Sequence, residues 1–62
     1  MKNIITWEVA EGMMNMAAYM LTIREYNRTK EEPDAEWVTR MAREWFLSYC
    51  NANNIEEIKE PE

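Results

Sequence analysis

Between Val9 and Ile23 the chain reads VAEGMMNMAAYMLTI, and its apolar side chains return every three or four residues. Val9, Met13, Met16, Met20 and Ile23 make one stripe, and Ala10, Met14, Ala17 and Leu21 make a second beside it. On a helical wheel the two stripes together take about half the circumference, while Glu8, Glu11, Asn15 and Thr22 fall opposite. That is the rhythm of a helix with apolar contacts on two adjacent sides.

Upstream, Thr6 stands where an N-cap belongs, with Glu8 in the first turn facing the positive pole of the helix dipole. Downstream, Arg24, Arg28 and Lys30 suit the negative pole, so the first helix is expected over about 6–28. The segment TKEEPD, 29–34, reads as a loop, because Pro33 disfavours a helical backbone at Glu32. A second helix is expected over about 35–51, with Asp34 as its cap in preference to Pro33 in its first turn. Trp37, Val38, Met41, Ala42, Trp45, Phe46, Tyr49 and Ala52 cover about half of its wheel, and Glu36, Arg40 and Glu44 are spaced for ion pairs on the other side. Asn51, Asn53 and Asn54 mark its end. Asn54-Ile55-Glu56-Glu57 has the spacing of a capping box, which predicts a short third helical turn with Ile55 and Ile58 folded back onto the hairpin. The rest of the acidic tail, 55–62, has little to pack and is expected to fray from Lys59 onward.

The fold class that follows is all-α, a single helical-hairpin domain over 1–62 whose short loop sets the helices antiparallel. A chain of 62 residues buries only about 60% of the surface its unfolded form exposes, so it needs a further source of stability. Cys50 is the one cysteine and histidine is absent, which leaves no internal disulfide and no Cys/His zinc set. Self-association remains, and the two wide apolar arcs ask for it. The expected form is a homodimer, an antiparallel four-helix bundle with Met13, Met20, Met41 and Trp45 near its centre. Its core and interface are assigned to Val9, Met13, Met16, Met20, Ile23, Val38, Met41, Trp45 and Tyr49. A candidate surface for a different protein is Leu47 with Arg43, Phe46 and Cys50, since Leu47 falls among Glu36, Arg40 and Asn51 on the polar side.

Composition narrows the function by exclusion. The net charge of -5 repels phosphate backbones and disfavours nucleic acid. The longest apolar stretch, Met16 to Leu21, falls far short of the roughly 20 residues of a membrane span, and Glu8 and Glu11 interrupt any signal-peptide core. With its lone thiol, the chain reads as soluble and cytoplasmic. Met13, Met14, Met16 and Met20 could hold Cu(I) as soft ligands, but their spacing is that of packing, so no metal or cofactor is expected. The pairs Glu8/Glu11 and Glu31/Glu32 have no histidine to complete a carboxylate metal site, and no Gly-rich phosphate loop exists, so no catalytic residue is assigned.

In shape alone this hairpin resembles the small dimeric helical-hairpin regulators that bacterial plasmids and phages encode; no motif carries the likeness, and no residue's role transfers with it. The expected function is a small cytosolic protein-binding module, a regulator or inhibitor of phage or other mobile-element origin, acting by protein contact and without enzymatic activity. One alternative is a nucleic-acid-binding hairpin dimer using Arg24, Arg28 and Lys30; another is a structural subunit of a larger assembly.

Overall fold

The computed structural model describes residues 3–60. In chain order they form β1 (Asn3–Thr6), α1 (Trp7–Thr29), α2 (Ala35–Ala52) and β2 (Ile55–Lys59). The fold is therefore mixed α/β, two helices with a two-stranded parallel sheet, and the all-α, four-helix-bundle expectation is wrong.

Each helix is bounded by side chains that satisfy its loose backbone groups. The Thr6 hydroxyl accepts a hydrogen bond from the Val9 amide at 3.3 Å, and the Asp34 carboxylate accepts one from the Trp37 amide at 3.2 Å. At its far end α1 stops on Lys30, whose backbone is left-handed at φ 64° and whose N–H donates to the Tyr26 carbonyl at 2.7 Å. A lysine holds that conformation at a cost of about 1 to 2 kcal/mol that glycine avoids. Lys30→Gly is therefore expected to raise the melting temperature, by up to about 1 kcal/mol of stability once glycine's larger unfolded-state entropy is subtracted. A lower melting point in a calorimetric scan would show that the lysine side chain contributes more than its backbone strain removes.

Nearby, the Arg28 guanidinium hydrogen-bonds the Glu25 carboxylate and holds it below the usual carboxylate pKa. Because the folded pKa is depressed, the pair's contribution is present above the carboxylate range and fades as pH falls through it. Both partners lie near the surface, where screening keeps that contribution small. This is the one ion pair within 4.0 Å among the described residues, so the expected Glu36–Arg40–Glu44 pairs are not formed. Fully solvated side chains gain too little from pairing to fix two long rotamers.

Parallel pairing explains how the ends of the chain meet. β1 and β2 align as Asn3 with Ile55, Ile4 with Glu57, Ile5 with Ile58 and Thr6 with Lys59. The Asn3 side-chain amide also donates to the Asn53 carbonyl at 3.2 Å, tying the start of β1 to the end of α2. The C-terminus of α2 thus lies one short strand from the N-terminus of α1, and a short loop joins their other ends, so the helices run antiparallel. The whole helical hairpin serves as the crossover that two parallel strands require.

The expected third helical turn at 54–57 is likewise replaced by strand. Asn54 adopts a left-handed backbone at φ 56°, which reverses the chain after α2 and releases Ile55 into extended conformation. Of the tail expected to fray, Lys59 is paired with Thr6, and residues 61–62 lie outside the described residues.

Packing is thin. Among the described residues the buried side chains are Ala10, Val38, Ala42 and Phe46, and Phe46 is the only large one. The Cα framework measures 45 × 26 × 14 Å, an elongated and flattened shape. A compact monomer of 7.5 kDa exposes about 4,200 Å² by the usual surface scaling. This chain exposes 5332 Å², so it carries an excess of about 1,100 Å², more than the roughly 800 Å² that each partner buries in a standard interface.

Candidate functional site

The two stripes of α1 meet different surroundings. Ala10 of the second stripe is buried, and Met14, Ala17 and Leu21 are half-buried. The first stripe stays open: Val9, Met16, Met20 and Ile23 are exposed and only Met13 is half-buried. Small side chains at Ala10 and Ala17 let the helices approach closely on the second stripe, and that choice leaves the bulkier stripe unpartnered.

Beside it, α2 turns Met41 and Trp45 the same way, and a groove forms between the helices. It has a volume of about 700 Å³ and is walled by Met13, Met16, Ala17, Met20 and Leu21 on one side and Met41 and Trp45 on the other. Its polar rim is Arg24, Glu44 and Ser48. Met16 and Met20 are 66% and 64% exposed, so their thioethers stand at the mouth rather than in the core. Trp45 stacks on Tyr49 one turn along α2, with ring centroids 5.7 Å apart and planes 24° from parallel. That contact fixes the indole's orientation at the groove wall.

The residues assigned from the sequence are distributed as follows. Met13, Met16, Met20, Met41 and Trp45 converge on the groove, with Tyr49 behind Trp45. Val9 and Ile23 are exposed on α1 outside it, and Val38 lies in the core. Of the second candidate surface, Phe46 is buried and Cys50 half-buried, while Arg43 is exposed and Leu47 is 57% exposed. Leu47 therefore stands beside charged neighbours without Phe46 as a companion.

Sequence reading missed the rim. By periodicity Arg24 suits the helix dipole and Glu44 the far side of α2, yet both border the groove. The available signal was their spacing: Met20–Arg24 and Met41–Glu44 continue the stripes by four and three residues.

Among the described residues no group of three or more His, Cys, Asp or Glu side chains is placed to hold a metal ion, and no helix is long and apolar enough to cross a membrane. No family model matches the chain, and neither characterised proteins nor solved structures yielded a match.

Proposed function

We propose that this chain is a cytoplasmic protein-binding module, a regulator or inhibitor whose groove takes an amphipathic helix from another protein. The observation that carries the reading is the open, Met-lined groove between the two helices. On α1 its wall repeats at Met13, Met16, Ala17, Met20 and Arg24; on α2 it repeats at Met41, Trp45 and Ser48. Both follow the three-and-four spacing of helix-to-helix packing, and the α1 wall runs about 16 Å at 1.5 Å per residue. A third helix laying an i, i+3, i+7 stripe between two such walls completes a packed layer. Methionine suits the task, because its unbranched, polarisable side chain adapts to a partner's shape. The acidic balance of -5 favours a helix flanked by basic residues, which it attracts before contact. A binding role of this kind needs no catalytic group, and the free thiol of Cys50 accords with a reducing compartment.

Methionine methyl NMR tests the proposal. On titration with a synthetic amphipathic peptide carrying a leucine stripe and lysine flanks, the methyl resonances of Met13, Met16, Met20 and Met41 are expected to shift together and saturate. Met14, which is not part of the groove, should move least. Unchanged groove methyls at saturating peptide, or shifts centred on Met14, defeat the proposal.

A further inference from the structure

We infer that β1 is a pairing edge for a second copy of this chain, joining two copies through a continuous four-stranded sheet in the order β2–β1–β1–β2. The sheet has two strands, so each strand has one open edge, and the two edges differ in chemistry. β2, Ile55–Lys59, carries Glu56, Glu57 and Lys59 in five residues, and its register skips Glu56 between the Asn3 and Ile4 pairings. Charge, lysine and a bulge are the devices by which proteins keep an edge from pairing. β1, Asn3–Thr6, has none of them: it is uncharged, and it contains the β-branched run Ile4-Ile5-Thr6. Its outward-pointing amides and carbonyls have no backbone partner among the described residues.

A lone parallel pair is also a weak unit. Parallel ladders are slightly less stable per residue than antiparallel ones, and parallel sheets usually have both faces covered. Here Ile5, Ile55 and Ile58 are half-buried, while Ile4 on the opposite face is 49% exposed. Three or more strands with an apolar face, or helix packing, are what give a small sheet stability of its own.

The geometry selects a second copy as the occupant. A strand can pair antiparallel with itself about a two-fold axis perpendicular to the sheet, which sets Ile4 opposite Ile4 or Ile5 opposite Ile5 of the other copy. Side chains opposite one another then share a face, so both helical hairpins fall on the same side of the enlarged sheet. With Ile5 opposite Ile5 the residues of β1 face one another or Trp7, none of them charged, and the acidic β2 strands lie furthest from the axis. Trp7 and Val9, both exposed, extend the uncovered apolar surface just past the strand. β1 shares no residue with the groove.

Sedimentation equilibrium on the full chain reads the inference directly. The expected mass is twice 7.5 kDa at high concentration. Ile4→Lys places a charge on the edge, opposite its own copy in one register, and should weaken the dimer by roughly tenfold or more. Glutamates at Met16 and Met20 should leave the dimer intact. A monomer at every concentration overturns the inference, and so does a dimer that survives Ile4→Lys or is dissociated by the groove variant instead. Should Ile4→Lys lose its helical circular dichroism, hydrogen exchange on the unaltered chain decides. Amides of Asn3–Thr6 are expected to gain protection as concentration rises, and concentration-independent exchange refutes the edge pairing.

Discussion

Phe46→Ala is expected to unfold the isolated chain at room temperature. Phe46 is 2% exposed and, among the described residues, is the one bulky side chain in a core otherwise made of Ala10, Val38 and Ala42. Replacing a buried phenylalanine by alanine removes about 3 to 5 kcal/mol, part from lost burial and part from the cavity left behind. Stabilities of roughly 0.05 to 0.15 kcal/mol per residue give a chain of 62 residues about 3 to 9 kcal/mol in total. The substitution therefore removes most of the margin, and with one cysteine in the chain no internal disulfide stands in reserve. Phe46→Leu should retain the fold with a loss nearer 1 to 1.5 kcal/mol, because most of the volume is kept. One residue along, Leu47→Ala should stay within about 0.5 kcal/mol of the unaltered chain. Helical circular dichroism at 222 nm during thermal and urea unfolding separates the three. A Phe46→Ala protein that melts like the parent would return Phe46 to the partner surface to which sequence reasoning assigned it.

That contrast shows where the sequence is informative and where it is not. Both helices are legible because their signals are local: Thr6 and Asp34 cap them, Pro33 separates them, and apolar residues repeat at helical spacing between. The strands are not, for two physical reasons. Each spans only four or five residues, and its partner lies at the other end of the chain, so neither segment shows its pairing by itself. Moreover, Ile55-Glu56-Glu57-Ile58 repeats at three residues, which looks like a helical turn; skipping Glu56 in the register is what brings Ile55 and Ile58 to the same half-buried side. The Ile4-Ile5 doublet before Thr6 was the one β-propensity signal at the other end.

The groove was half legible. Two adjacent stripes on α1 announce more apolar surface than one neighbour covers, but periodicity does not say which stripe the neighbour takes. Side-chain size does. Ala10 and Ala17 permit the close approach of α2, whereas Val9, Met16, Met20 and Ile23 would hold it off. Phe46 and Leu47 present the same ambiguity on α2, where adjacent residues point about 100° apart and only the neighbour's position settles which is inside.

The double substitution Met16→Glu with Met20→Glu should abolish helix capture while leaving the free protein folded. Both side chains are about two-thirds exposed, so their removal opens no cavity, and a helix interior accepts glutamate readily. In the free protein the new carboxylates stay in water. A helix seated in the groove would strip that water and surround them with Met41, Trp45 and its own leucines, leaving two buried charges without partners. Losing 100-fold in affinity corresponds to about 2.7 kcal/mol, less than the penalty for one uncompensated buried charge, so the loss should be at least that large. Isothermal titration of the lysine-flanked amphipathic peptide against parent and variant reads it. Lysines on the peptide are a foreseeable rescue, because they can reach the new carboxylates at the rim; a second peptide with neutral flanks removes that route, and it should bind the parent but not the variant. Equal affinity of parent and variant for the neutral peptide would mean that the methionine mouth is not where a partner helix sits.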